Sequence, residues 1–141
     1  MPIEFKGEPK NIFGVKWQQI TDDQILAIHL SPEATIIAIV EEIGLEDKNS
    51  VQNPYMSGCS VDKIPSVDHL PPSRLQAAQE QIQSFLGSLN WLVCCMCIDI
   101  SKITNMLAHH LHSATPSHMV SACYVVKYLN GYKSLGITFT T

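Results

Sequence analysis

The stretch that decides the fold spans Ser73–Met96, where the sequence reads SRLQAAQEQIQSFLGSLNWLVCCM. Its apolar side chains recur every three or four residues, which is the spacing of one face of an α-helix. These side chains are Leu75, Ala78, Ile82, Leu86, Leu89, Val93 and Met96. Four polar residues interrupt the longest uncharged run: Gln83, Ser84, Ser88 and Asn90. The stretch therefore predicts a helix that is capped by Ser73 and buried in protein, not one that spans a membrane.

Two shorter helices are predicted after it. The first follows Asp99 or Ser101, since either side chain can serve as an N-cap. The second begins at Thr115-Pro116 and ends at Gly131, because Thr caps well and Pro suits the first helical position. Their apolar faces are Ile100, Ile103, Leu107 and Leu111, and then Met119, Ala122, Val126 and Leu129. Short connections favour antiparallel neighbours, so we expect a C-terminal three-helix bundle.

The N-terminal part predicts an antiparallel β-hairpin. Residues 12–20 and 25–30 are rich in β-forming side chains, and the polar residues 21–24 between them suit a turn. Asp22 and Asp23 also resemble the adjacent carboxylates with which polymerases hold Mg²⁺, but turn chemistry explains the pair equally well.

A helix is predicted directly after the hairpin. Ser31 and Pro32 form a typical helix start, and Gly44 is a typical left-handed end. Residues 46–72 show no periodicity and contain five prolines and glycines, which indicates a linker or an extended surface loop.

The predicted fold class is α+β, with an N-terminal hairpin and helix, a long loop and a C-terminal helical bundle. The corresponding segments are 1–45 for the hairpin and helix, 46–72 for the linker, 73–134 for the three helices and 135–141 for a short, truncated strand.

Charge and composition limit the function classes. The chain has 141 residues, of which 45% are hydrophobic, so it can bury a core without metals or disulfides. Its net charge is −4, distributed as −6 over residues 1–72 (five Lys, eleven acids) and +2 over residues 73–141 (four cations, two acids). That balance argues against a freestanding nucleic-acid binder. Five cysteines and an N-terminus without an apolar signal region predict an intracellular protein, in the cytoplasm or nucleus, without a membrane partner.

Cys94, Cys97, His109 and His112 are the candidate metal ligands. Two thiolates and two imidazoles can bind one tetrahedral zinc ion. However, the eleven residues between the pairs and the two between the histidines are shorter than a zinc finger uses. Core cysteines and partly exposed histidines are the alternative interpretation.

Several ordered segments resemble the reverse transcriptase of copia-type LTR retrotransposons. FLGSLNWL at 85–92, DI at 99–100, P-x-H at 116–118 and VKYLNG at 126–131 follow that family's series GSLxYL, RPDI, P…H and RVLRYLKGT. Residues 12–14 (IFG) are similar to its FLG strand. The resemblance covers nearly the whole chain in order.

This resemblance implies a segment of an RNA-directed DNA polymerase from a transposable element. The segment would comprise the last palm strands, a linker, a thumb-like or connection-like helical region and the approach to RNase H. The catalytic Asp pair would lie before Met1 and the RNase H acids after Thr141, so the chain is expected to be a fragment that is inactive alone. The parent family uses Mg²⁺, but no cofactor is expected in this chain.

The resemblance also implies weak contacts with an RNA or DNA template–primer. Phe13, Gly14, Lys16 and Trp17 would resemble a primer-grip hairpin, and Lys127 and Lys133 would be helical contacts. The family's arginines are missing here: Cys97-Ile98 replaces Arg-Pro, and residues 124–132 contain no Arg. The alternatives are solvated surface lysines, a non-enzymatic helical protein-interaction module that self-associates through the unpaired hairpin, and a zinc-binding domain.

Overall fold

A computed structural model of the chain describes residues 14–22, 25–55 and 71–140. Within these ranges there are three strands and four α-helices: β1 Lys16–Asp22, β2 Ile25–Ser31, α1 Glu33–Ile43, α2 Pro72–Cys95, α3 Ser101–His109, α4 Pro116–Gly131 and β3 Ile137–Thr140. Short 3-10 helices at Ile98–Ile100 and Leu111–Ser113 flank α3. The predicted α+β class is confirmed.

The strands form one antiparallel sheet in the order β1-β2-β3. Lys16 lies opposite Ser31, and Leu30 lies opposite Ile137. His29 joins β2 to the C-terminal segment, since its ring nitrogens lie 2.8 Å from Thr138 Oγ1 and 3.3 Å from the Ser134 carbonyl oxygen. The predicted terminal strand therefore pairs with β2, so the hairpin is not left unpaired on that side, whereas β1 is an end strand of the described sheet.

The turn was predicted over residues 21–24, but residues 21 and 22 still belong to β1. β1 continues to Asp22, which lies opposite Ile25. Asp23 and Gln24 lie outside the described residues, as do Phe13 and residues 56–70 of the predicted linker. Residues 46–55, the described part of that linker, contain neither helix nor strand.

The end of α1 is predicted correctly, but its start is not. Gly44 has the left-handed φ of 70°, and its N–H donates to the Glu41 carbonyl at 3.1 Å. At the other end the N-cap is Pro32 and not Ser31. Ser31 is instead the last residue of β2, where it lies opposite Lys16, and it is buried.

Of the other three predicted N-caps, one is confirmed and two are wrong. α2 begins at Pro72 after the N-cap Pro71, so Ser73 lies inside the helix. α3 has Ile100 as its N-cap, and neither Asp99 nor Ser101 caps it. Thr115 does cap α4, with Pro116 in the first turn. In α1 and α2, where the predicted N-cap is wrong, a proline lies at the start of the helix. The restricted φ of proline suits a helix entry without a side-chain cap.

The helices form one hydrophobic core to which α1 also contributes. α1 packs against α4, and α2 packs against both α3 and α4. Fully buried members from each helix are Ile36, Ile82, Leu89, Leu92, Ile100, Leu107, Val125 and Val126. The predicted bundle of the three C-terminal helices is not confirmed as a separate unit, because α4 also packs against α1.

None of the described helices combines the length and the apolar composition that crossing a membrane would require.

Candidate functional site

The β1 candidates lie close to the start of α1. Gly14 has a φ of 78°, and its carbonyl oxygen accepts a hydrogen bond from Thr35 Oγ1 at 3.1 Å. A Cβ at this position would lie 2.1 Å from that hydroxyl oxygen. Gly14 is therefore required by local packing, whether or not a ligand approaches it.

Lys16 is already paired with an acid. Its Nζ lies 2.7 Å from Glu33 Oε2, and its side chain is 51% exposed. Trp17 is half-buried on the next position of β1. The ion pair lowers the net positive charge that Lys16 can offer to a phosphate, because Glu33 neutralises it at contact distance.

The helical candidates lie at and beyond the C-terminal part of α4. Lys127 and Lys133 are both half-buried, so their aliphatic stems are covered in part. Two aromatic rings lie between these lysines in the sequence: Tyr128 and Tyr132 have ring centroids 4.9 Å apart.

The candidate zinc ligands lie on separate elements. Cys94 lies in the last turn of α2, Cys97 follows that helix, His109 ends α3, and His112 lies in a 3-10 helix. Among the described residues, no three His, Cys, Asp or Glu side chains are grouped as a metal site requires. Cys97 is buried, and burial together with the nearby Asp99 carboxylate raises the pKa of its thiol to about 11, which disfavours the thiolate.

A buried histidine completes the capping box of α4. The backbone N–H of Thr115 donates to His118 Nδ1 at 3.0 Å, so the proton of the neutral ring lies on Nε2. That Nε2 is buried without a hydrogen-bond partner. Burial, and then the nearby ring of His110, lower the pKa of His118. The sequence carries a signal for this role, because capping boxes place a polar side chain three residues after Thr or Ser, although Glu or Gln is usual there.

A second polar contact joins α4 to the 3-10 helix before α3. The Tyr128 hydroxyl donates to Asp99 Oδ2. This bond, followed by partial burial, raises the pKa of Tyr128 to about 12. The pair borders a cavity of about 270 Å³ that Cys97 also lines. Asp99 therefore has a structural partner on α4.

A groove lies between α2 and α4, and we call it the α2–α4 groove. It has a volume of about 680 Å³. Ala77 and Ala78 form part of one wall, and Met119 and Val120 form part of the other. No sequence pattern indicated this groove, because it depends on how the two helices pack.

No protein-family model, curated protein or solved structure matches the chain.

Proposed function

We propose that the chain is a non-catalytic segment related to copia-type retrotransposon reverse transcriptases, and that it contacts a template–primer weakly. The observation that carries this proposal is the ordered series of family motifs and the place of its residues in the fold. Motif residues Leu86, Leu89 and Leu92 lie in the buried core, as does Ile100. The resemblance therefore concerns the residues that hold the helices together.

The polar members of the series also make structural contacts. His118 of the P-x-H motif supports the cap of α4, and Asp99 of the D-I motif accepts from Tyr128. Asp99 and Tyr128 are two motif residues that contact each other between α4 and the 3-10 helix before α3, as is expected of a shared scaffold. This supports a common fold with that family and gives no role to the motifs in phosphoryl transfer.

The contact surface would be small. Its described members are Gly14, Lys16, Trp17, Lys127 and Lys133, and only three of them are cations. Each lysine that neutralises a phosphate releases condensed counterions, and this release is the main source of affinity. Three cations in a chain with a net charge of −4 support weak, salt-sensitive binding.

The Lys16–Glu33 ion pair provides a sharp test. Glu33→Gln removes the carboxylate that lies 2.7 Å from Lys16 Nζ, so it should tighten binding of a poly(rA)–oligo(dT) duplex at low salt. The matched control is Glu41→Gln, which removes the same charge from an exposed position of the same helix. We expect the first variant to bind more tightly than the second in a fluorescence anisotropy titration. Equal affinities of Glu33→Gln and Glu41→Gln would show that Lys16 does not contact the duplex. Absence of binding by every variant would refute the proposal.

A second candidate function, protein association, is favoured by the sheet. Trp17, Leu30 and Ile137 lie side by side on one face of the sheet, and Ile28 and Phe139 are paired on the same face. Ile137 is 43% exposed and Phe139 is 57% exposed. An apolar sheet face of this kind typically marks an interaction surface.

This candidate predicts that the chain self-associates through the sheet. Phe139→Lys should shift the sedimentation coefficient towards that of a monomer, because it places a charge on the apolar face. Thr140→Lys is the matched control, since the adjacent residue lies on the opposite face. A wild-type chain that sediments as a monomer at all concentrations would rule out self-association.

A further inference from the structure

The α2–α4 groove combines an apolar interior with cations. Met119, Val120 and Cys123 line one side of it along α4, and the small side chains of Ala77 and Ala78 leave room on the α2 side. Val120 is 55% exposed, so the α4 side of the groove presents apolar surface to solvent. The groove has the size and character of small-molecule sites, which typically have volumes of ~300–1,000 Å³.

The charges on the groove have one sign. Arg74 on α2 and Lys127 on α4 both line it, and no Asp or Glu does. This is notable in a chain whose acids outnumber its cations by thirteen to nine. Cations next to an uncharged apolar surface attract a ligand that carries an anionic head and an apolar body, because each part of the ligand then meets a complementary surface.

We propose that the α2–α4 groove binds an amphipathic carboxylate, a molecule with an alkyl body and one carboxylate head. The alkyl body packs against Met119, Val120 and Ala78, and the carboxylate lies near Arg74 and Lys127. The stretch of α4 from Pro116 to Lys127 is about 16 Å long at ~1.5 Å per residue, which matches an extended alkyl chain of about twelve carbons. The groove shares Lys127 with the proposed template–primer contact, and Arg74 distinguishes the two, because Arg74 takes no part in that contact.

Cys123 offers a direct readout, because it lines the groove and its thiol is free. The full chain would be alkylated with N-ethylmaleimide in the presence of laurate below its micellar concentration, and each cysteine would be followed by peptide mass spectrometry. We expect laurate to slow alkylation of Cys123 and to leave the exposed Cys94 unchanged. Dodecanol, which has the same alkyl length without the charge, should protect Cys123 less. Equal protection by both, or none by laurate, would overturn the proposal.

Two variants test the parts of the site separately. Arg74→Gln should weaken laurate binding by about twofold to fivefold, the range for one exposed ion pair, and should leave duplex binding unchanged. Val120→Glu places a carboxylate in the groove and should weaken laurate binding more than Val120→Gln, its uncharged match. Circular dichroism would show that each variant is folded. If Arg74→Gln leaves the laurate affinity unchanged, or if Val120→Glu and Val120→Gln bind laurate alike, the anionic head is not recognised and the proposal fails.

Discussion

At the scale of single residues, the hydrogen bond from Tyr128 to Asp99 links α4 to the turn before α3. Tyr128→Phe removes only this hydroxyl. We expect it to lower the free energy of unfolding by about 1 kcal/mol, towards the small end for a bond to a charged group because Asp99 is exposed. Urea denaturation followed by tryptophan fluorescence would measure the change. Tyr132→Phe is the matched control, and an equal loss in both variants would contradict the role given to the Asp99 bond.

The same bond predicts a pH dependence. The pKa of Tyr128 is raised from 10.0 to about 12, so the folded state favours the protonated phenol. The stabilisation is therefore complete below pH 10 and is lost as the pH rises from about 10 to 12. Tyrosinate absorbance at 295 nm should show one late-titrating tyrosine in the wild type that is missing in Tyr128→Phe. A titration curve that is the same in both would refute the assignment.

His118 predicts the opposite pH dependence. Its pKa is lowered from 6.5, so the folded state favours the neutral ring that accepts the Thr115 N–H. The stabilisation is present above pH 6.5 and falls as the pH drops below that value. In His118→Gln the side chain can still complete a capping box, but it does not titrate. We expect the unfolding free energy of this variant to change less between pH 7 and pH 5 than that of the wild type.

His112→Gln is the control for this experiment, because His112 is exposed. This variant should keep the acid sensitivity of the wild type. If it becomes as insensitive as His118→Gln, the acid sensitivity does not come from the buried ring.

The residue scale also shows where sequence reasoning reaches its limit. The Thr115 cap and the P-x-H pattern are both visible in the sequence, and counting from that cap places His118 at N3, where a capping-box side chain lies. The partner of Asp99 lies 29 residues away, and no local pattern encodes such a pair.

At the scale of elements, the attachment of β3 depends on Gly136. A Cβ there would lie 1.8 Å from the Leu30 carbonyl oxygen of β2, which cannot move without disturbing the sheet. Gly136→Ala should therefore detach β3. Amide hydrogen exchange over residues 137–140 should accelerate in this variant while exchange in α2 and α4 stays slow.

Gly87→Ala is the matched control on a helix. Nothing lies within 4 Å of a Cβ at this position, so alanine should stabilise α2 by about 0.5–1 kcal/mol through its higher helix propensity. If amide exchange in β3 is as slow in Gly136→Ala as in Gly87→Ala, a Cβ at position 136 does not detach the strand, and this prediction is wrong.

Periodicity together with helix start and stop signals was sufficient to predict the four described α-helices, and the terminal strand was also predicted as an element. The positions predicted to face inwards on α4, such as Ala122, Val126 and Leu129, are buried. The contact of α1 with α4 and the pairing of β3 with β2 could not be predicted, because both join segments that are more than seventy residues apart along the chain. Ser31 and Ser73 were predicted as N-caps because serine has a high propensity for that position. In the structure the N-caps are Pro32 and Pro71, whose restricted φ suits a helix start.

At the scale of the whole molecule, the family resemblance and the charge balance favour different functions. The motif series favours a polymerase-derived scaffold, and the net charge of −4 opposes tight binding of nucleic acid. The α2–α4 groove shares Lys127 with the proposed contact surface, so an anionic amphiphile and a duplex would compete for that lysine but not for Arg74. Weak binding of nucleic acid through a few lysines is consistent with both the motif series and the net charge.

The most direct test is a titration of a poly(rA)–oligo(dT) template–primer with the purified chain at several salt concentrations. Three lysines predict weak, saturable binding with a log–log salt slope no steeper than about −2.7, at ~0.9 per neutralised phosphate. Replacing Lys16, Lys127 and Lys133 together by Gln should abolish binding while the circular dichroism spectrum stays unchanged. Absence of binding at low salt, or binding that the triple variant retains, would contradict the proposed template–primer contact.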